Sequence, residues 1–583
     1  MRHVSLFLAA IALLLIAGDR TSATTFAVVI HDLTAAASPI LAGSSTAVSV
    51  DATDSGPLSY TWSATGGTIS GSGASVSWQA PASAGTFTIT CQVTGPSGSV
   101  STSISVASVS GPTQWPSTPP AGCPFPPSTL VPGILFNRFA SQHFADTFYP
   151  SWAADGALYS PWMDGILLTP GFTQEVIGAA NAVTVPARTG WCKILGDDPT
   201  NLDVVDAGVI ESPRDPYGGR YASASLHHNG VWYYGTYCTM NEGGSNDGFV
   251  TIDGIDYNWG VVGPFVGFHT STDNGHTWTP PPHTPSSPIF GEPAVKGGKL
   301  KMGVPHVVDF GRNLQHSPDG KAYLICHGAV DPDPAPRYGN LSWITGDQIY
   351  MARVTPSIQD INDPSKYEFF AGHDAGGTAT WSSSLASARP VIDWNNNCGG
   401  VTMTWFPPLN RYITCIVDGR TTAANMNTYI LESPTLTGPF KLVTYMKDFG
   451  VQAYFCNFPS KFITGDGNSC WLWYSANFHP LERESNPPGS GYHLCAREVL
   501  IQRPVHSNPS AAGGSGSGSS GSSSGGSGGS GGSSSAGGSN ASAKDSHGSV
   551  YRWCFGAVEA PTGIRAWTIL AVLAAILAAI RRR

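Results

Sequence analysis

The sequence predicts an all-β protein: an N-terminal β-sandwich, a five-bladed β-propeller and a C-terminal transmembrane helix. Three observations predict it. Five apolar runs between Phe144 and Ser475 enter a tight turn and return as an aromatic-rich strand. The first hundred residues alternate polar and apolar in short stretches separated by Gly and Pro. The chain closes on a Ser/Gly tract, one apolar run and three arginines.

The returning segments are Asp155-Gly-Ala-Leu-Tyr-Ser-Pro-Trp162, Asn229-Gly-Val-Trp-Tyr-Tyr-Gly235, Asp319-Gly-Lys-Ala-Tyr-Leu-Ile325, Leu409-Asn-Arg-Tyr-Ile-Thr414 and Asp466-Gly-Asn-Ser-Cys-Trp-Leu-Trp-Tyr474. Asn-Gly and Asp-Gly supply the positive φ of a two-residue hairpin turn. One unit repeated every few tens of residues is the mark of a repeat architecture, and hairpins each followed by a further strand suggest propeller blades. The further strands are read at Gly267–Ser271, Gln348–Arg353, Thr428–Glu432 and Tyr492–Val499. Five hairpins favour five blades, with Ile166 to Gly219 leaving room for a sixth.

Composition narrows the class. Of 583 residues only 12% are charged, against about 25% in an average soluble chain, while Gly (69) and Pro (45) are abundant. The formal net charge is −9 and no basic stripe is present, which excludes nucleic acid as an expected partner. Eleven cysteines occur without a Cys-x-x-Cys pair, so no metal site is expected. Cys238, Cys326, Cys415, Cys470 and Cys495 lie in apolar strand-like runs, where a thiol behaves as a small hydrophobe.

In chain order, residues 1–23 read as a signal peptide: Arg2 and His3, an apolar stretch from Val4 to Gly18, then Thr21-Ser22-Ala23. Residues 24–107 form the β-sandwich. Tyr60-Thr-Trp62, Trp78-Gln-Ala-Pro81 and Gly85-Thr-Phe-Thr-Ile89 resemble PKD and related immunoglobulin-like (Ig) modules. The resemblance implies a spacer or carbohydrate-associated appendage with Trp62 in its core. Residues 108–132, with Pro119-Pro120 and Pro126-Pro127, read as a stiff linker, and 133–505 as the propeller.

Residues 506–556 are a Ser/Gly-rich disordered stalk, whose core should span about 35 Å root-mean-square. Residues 557–583 are the transmembrane or sorting segment: Glu559-Ala-Pro561, apolar Ala566 to Ile580, and Arg581 to Arg583 on the cytoplasmic side. This arrangement resembles bacterial C-terminal sorting signals of the PEP-CTERM kind, with a plain tail anchor as the other reading. The expectation is an exported protein tethered to the membrane at the cell surface, or released from it by processing.

Two motifs bear on function. Ser271-Thr-Asp-Asn-Gly-His-Thr-Trp278 matches the Asp-box, Ser-x-Asp-x-Gly-x-Thr-Trp. It resembles the outer hairpins of sialidases, where it is structural. Phe144-Ala-Asp-Thr-Phe-Tyr149, before the turn at Asp155-Gly156, resembles the opening of the five-bladed glycoside hydrolases of the β-xylosidase and arabinanase superfamily. That resemblance implies Asp146 as general base on the first inner strand, and no cofactor.

Glycosidic hydrolysis needs two carboxyl groups astride the scissile bond. Glu292 and Asp309 are the candidate acids, Glu292 upstream of the third inner strand and Asp309 at its end. Asp164, Asp347 and Asp393 are further carboxylates at strand ends. His306, Arg389 and Asn457 are placed on inner strands, where with Asp164 and Asp347 they would bind substrate. A buried structural role is the competing reading for Asp146, and a turn, cap or channel network for the others. Trp162, Trp232, Tyr234, Trp471 and Trp473 sit at strand spacing and read mostly as core. A sialidase would need three arginines, and only Arg220 and Arg389 are in plausible places. The expected function is hydrolysis of a polysaccharide. The alternatives are a non-catalytic glycan-binding or adhesion propeller, and a sialidase-like exoglycosidase.

Overall fold

The computed structural model describes residues 27–142, 145–163, 189–211, 221–237, 250–252, 255–257, 263–292, 299–329, 346–419, 425–476 and 486–508. The signal peptide, Phe144, Asp164, Cys238, the stalk beyond Asn508 and the C-terminal segment lie outside these residues. Among the described residues, no helix is long and apolar enough to cross a membrane.

The five hairpins become five sheets. Each begins with an inner strand, turns, and returns as a second strand. Blade 1 is Ser151–Trp152, Leu158–Met163, Thr189–Leu195 and Asp203–Glu211. Its third and fourth strands occupy the stretch that left room for a sixth blade. Blade 2 is Tyr221–His228, Val231–Tyr237 and Phe265–Ser271. Blade 3 starts with Leu300–Val307, Ala322–Ala329 and Gly346–Val354, then adds the outer hairpin Glu368–His373 and Ala379–Ser382. Ile392–Cys398 also pairs with its third strand. Blade 4 is Val401–Phe406, Arg411–Asp418, Asn427–Ser433 and Lys441–Met446.

Blade 5 closes the ring. Tyr454–Asn457 and Ser469–Ser475 lead into Leu494–His506, and that strand pairs on its other side with Gly133–Gln142, from ahead of blade 1. An early strand completing the last sheet locks first and last blades together without a free seam, which suppresses edge pairing with other chains. Each of the five turns holds the positive φ that its sequence promises, including Gly156 (88°), Asn229 (49°), Gly320 (74°), Asn410 (51°) and Gly467 (66°).

The N-terminal module is two packed sheets. Val29–Ser38, Ser45–Thr53, Ser75–Gln79 and Thr68–Ser70 form one; Ile40–Leu41, Gly98–Val109, Gly85–Gly95 and Ser59–Ala64 form the other. Alternation decides what is inside: Val48, Val50, Val76 and Trp78 face inward while the serines between them face water. Trp62 is half-buried against this core and donates its indole N–H to the Gly73 carbonyl at 3.0 Å.

The sandwich is not hung on a free linker. Past Gln502 the last propeller strand pairs with Val29–Ser38, so one sheet runs through both modules. Asp32, nearly buried, accepts from His506 (2.6 Å), Thr34 (2.7 Å) and the backbone N–H groups of Ser507 and Asn508 (both 3.1 Å). The Pro-rich stretch 108–132 is also fixed. The Trp115 indole donates to the Lys447 carbonyl, Ser128 donates to Glu432, and Phe125 enters the core between blades.

Candidate functional site

Neighbouring inner strands run in the same direction around the ring. Thr402 Oγ1 donates to Cys456 O at 2.6 Å, and Thr404 Oγ1 to Phe458 O at 2.8 Å, the constant offset of parallel strands. Asp309 and Thr404 form a parallel bridge. The ring therefore has two rims. The upper one collects the beginnings of the inner strands and the ends of the second strands. The lower one collects the five hairpin turns.

Asp146 stands at the upper rim. It bridges to Met163 at the start of blade 1's inner segment and is only 2% exposed. The Tyr454 hydroxyl, from the first residue of blade 5's inner strand, donates to its Oδ2. Tyr149 lies nearby. Its phenol is pushed well above the usual tyrosine range, by burial first and then by Tyr237, Asp146 and Tyr234. The hydroxyl therefore stays protonated and can donate.

The inner strands are bent at matching heights. Registers slip between Ala222 and Ser225, between Gly303 and His306, and between Tyr454 and Asn457. Thr147, Val304 and Phe455 take φ of 67°, 40° and 51°. A β-branched or aromatic residue at positive φ costs about 1–3 kcal/mol. Such bulges re-aim the side chains that follow them. Here the residues at positive φ each stand two positions before Tyr149, His306 and Asn457, which face the axis. With Ser225, Thr402 and Thr404 these side chains line a small axial cavity to which every blade contributes.

His306 is 3% exposed, stacked 4.3 Å from the Tyr149 ring centroid and 5.5 Å from Phe455. Burial, then the neighbouring His327, pulls its imidazole down to about 3, so it is neutral at ordinary pH. The Val401 backbone opposes this weakly, outside hydrogen-bonding geometry. Asn457 Nδ2 donates to Phe148 O and Phe455 O, both at 3.0 Å, tying blade 5 to blade 1.

Of the other expected site residues, Asp309 alone among the described residues also lines this cavity. Asp309 follows its inner strand and so sits toward the lower rim. It accepts from Ser460 N (2.7 Å), Ser460 Oγ (2.7 Å) and Gly311 N (2.9 Å), and burial raises its carboxyl. Glu292 clamps the start of blade 3's inner strand, accepting from the N–H groups of Lys301 (2.6 Å) and Met302 (2.9 Å). Burial pushes it up to about 7, against those bonds and the Lys301 charge. Lys301 itself caps the carbonyls of Leu385, Ala386 and Ala388. Arg389 corrects the sequence reading. It lies exposed between the outer hairpin of blade 3 and the strand Ile392–Cys398, not on an inner strand, because blade 3 carries an added hairpin that the spacing did not reveal. Asp393 falls within that outer strand and is exposed.

Asp347 is buried at the upper end of blade 3's third strand and accepts from Asn396 N at 2.8 Å. Sequence reasoning passed over Asp418. It ends the second strand of blade 4 at the same rim and is fully buried. Its signal was an acidic residue closing the apolar run Tyr412-Ile-Thr-Cys-Ile-Val417. Asp347 and Asp418 both raise the Cys398 thiol between them, after burial. The aromatics Trp162, Trp232, Tyr234, Trp471 and Trp473 are all core. The Asp-box folds on itself: Asp273 accepts from Thr277 N (2.9 Å) and Thr277 Oγ1 (2.6 Å), which hold its carboxyl down at about 2. Trp278 packs 5.1 Å from Trp232, at the lower rim.

No family model matches the chain, and no curated protein does. Among solved structures it is similar to a family 117 glycoside hydrolase of the marine bacterium Zobellia galactanivorans, at 12% identity and a TM-score of 0.33, over 63% of this chain and 90% of that one. A GH43_1 enzyme from Xanthomonas citri gives 12% identity and 0.32, over 62% and 90%. An α-L-arabinanase of Penicillium chrysogenum, complexed with arabinobiose, gives 9% and 0.29, over 81% and 98%. At these scores the likeness carries no argument, and the site stands on this chain's own geometry.

Proposed function

We propose that this chain is an exported, surface-tethered glycoside hydrolase acting on a polysaccharide, with Asp146 as general base at the upper rim. The observation that supports it most is a carboxylate buried at the upper rim, on an inner segment that, like those of blades 3 and 5, holds a bulky residue at positive φ. Burying a carboxylate costs several kcal/mol even after relaxation. Stored backbone strain clusters where geometry serves chemistry. Asp309 is held by backbone N–H groups toward the lower rim, and Glu292 is spent on two backbone N–H groups at the start of blade 3's inner strand, so the acid is assigned to Asp418 or Asp347. In the reaction the acid gives its proton to the glycosidic oxygen as the C1–O bond breaks. A water attacks C1, and Asp146 takes the proton that water releases. Wide separation of the two carboxyls gives inversion and close approach gives retention. Export and tethering rest on the apolar leader and the C-terminal apolar run.

The second reading is a non-catalytic glycan-binding propeller. It is favoured by the same finding, that Glu292 and Asp309 are spent on backbone N–H groups. A panel of polysaccharides assayed for new reducing ends separates the two. Asp146→Asn should cost about 10²–10⁴-fold in turnover, with either Asp418→Asn or Asp347→Asn doing the same. A wild-type protein that binds a polymer, cleaves none of the panel and keeps its affinity in Asp146→Asn establishes the binding reading instead.

A further inference from the structure

We propose that the axial cavity is a hydration site: ordered water, held between His306 and the Tyr149 hydroxyl, fills the propeller axis beneath Asp146. This does not depend on the hydrolase reading.

The first reason is unmet hydrogen bonding. Neither ring nitrogen of His306 has a partner, nor does the Tyr149 hydroxyl, although both side chains are more than nine-tenths buried. A buried polar atom left unsatisfied costs about 1–3 kcal/mol, so three such atoms around one void demand a partner. The second reason is size. The cavity measures about 30 Å³, room for about two waters. The third reason is the polarity of the wall. Thr402 and Thr404 spend their hydroxyl protons on Cys456 O and Phe458 O, and their oxygens remain able to accept. Asn457 spends its amide protons on Phe148 O and Phe455 O, leaving Oδ1 as an acceptor. Neutral His306 offers one donor and one acceptor, and Tyr149 offers both on one atom.

The occupant is therefore neutral, water-sized, and able both to donate and accept. An ion fits less well. Among the described residues, the one charged side chain on the wall is Asp309, whose oxygens are already taken by Ser460 and Gly311. The consequence is mechanical. Water bridging His306 to Tyr149 fixes the phenol that neighbours Asp146, and the axis is closed by a polar plug instead of an open pore.

A high-resolution crystal structure of the wild-type protein tests this directly. The expected result is one or two ordered waters about 2.8 Å from a His306 nitrogen and from Tyr149 Oη. Metal analysis of the same protein should find no stoichiometric ion. A dry cavity, or a metal ion on His306, overturns the proposal. A solution measurement needs no variant: water should show long-lived cross-relaxation with the His306 ring protons, and its absence counts against the site. His306→Leu should abolish that signal while the fold, checked by circular dichroism, is kept. Should that variant fail to fold, Tyr149→Phe should reduce the ordered water by one bridging position, and an unchanged water arrangement there also refutes the bridge.

Discussion

Replacing Glu292 by Gln should remove a pH dependence from the stability of the propeller. In the folded protein this carboxyl is 9% exposed and takes up its proton at about 7, against an ordinary value of 4.5. A folded value raised above the unfolded one means the group's contribution is fully present below about pH 4.5. It is lost as pH rises through about 7. At about 1.4 kcal/mol per tenfold change in proton affinity, the loss reaches about 3 kcal/mol, a large part of a total of about 5–15 kcal/mol. The glutamine variant cannot ionise. It does lose one acceptor, because its amide N–H₂ must face the Lys301 or Met302 N–H, at a constant cost of about 1–3 kcal/mol. The offset is therefore uninformative and the slope is the test. Urea unfolding followed by tryptophan fluorescence, from about pH 4.5 to about pH 8, should show the variant gaining about 3 kcal/mol on the wild type. A gap that stays constant would mean that Glu292 is ionised throughout. Its two backbone bonds and Lys301 would then outweigh burial, refuting the reasoning.

Tyr454→Phe removes the hydroxyl that donates to Asp146 and leaves a buried carboxylate short of a donor; it should destabilise by about 1.5–3 kcal/mol, measured by the same unfolding assay. Asp32→Ala should free the end of the last propeller strand from the sandwich, seen as faster hydrogen exchange over residues 503–508 with the blade interiors unchanged. Hydrogen bonds from His506 and Thr34 outweigh burial and hold the Asp32 carboxyl below 3.8, so its stabilisation is present above that value and lost as pH falls through the lower, folded one; exchange at the joint should quicken on acidification in the wild type and not in the variant. Gly190→Ala would push a methyl to 2.3 Å from both the Gly208 carbonyl and the Trp162 ring, so blade 1 should lose at least about 1–3 kcal/mol, read as a lowered unfolding midpoint.

What the chain wrote most plainly were the lower-rim turns. Asn-Gly and Asp-Gly act locally: the φ they need is set by two residues and does not wait for tertiary context. Four of the five turns carry such a pair, and in the fifth Asn410 alone takes the left-handed position, so each could be placed from local sequence. The strands of blade 1 beyond Trp162 were illegible. Thr189–Leu195 and Asp203–Glu211 lack an Asp-Gly or Asn-Gly turn between them, joined instead through Gly196 at φ 113° and a short turn capped by Asp198. The added hairpin of blade 3 defeated the reading of Arg389 for a related reason. An outer hairpin alternates much as an inner one does, and only the sheet order distinguishes them.

The upper rim was harder because its geometry comes from departures from the ladder. A bulge is a disagreement between two strands, so neither strand spells it alone. One trace did exist. Pro150, Pro305 and Pro459 fall within or just beside the inner segments of blades 1, 3 and 5, the blades that hold Thr147, Val304 and Phe455 at positive φ. Proline cannot donate to a ladder and is tolerated on an edge. The inner strand is the edge of every blade, with its outer side facing the axis. The inner strand of blade 4, Val401–Phe406, keeps its register throughout although Pro407 follows it directly. Blade 2 slips between Ala222 and Ser225 without a proline, so proline accompanied the departures of blades 1, 3 and 5 and is not what a departure requires. Asp146, His306 and Asn457 each lie within four residues of such a proline, and so does Asp309, so nearness to proline does not by itself pick out the axis. What separates them is the partner: Asp309 and Glu292 are fixed to backbone N–H groups and brace the ring, whereas the side chains of Tyr149 and His306 face the cavity on the axis.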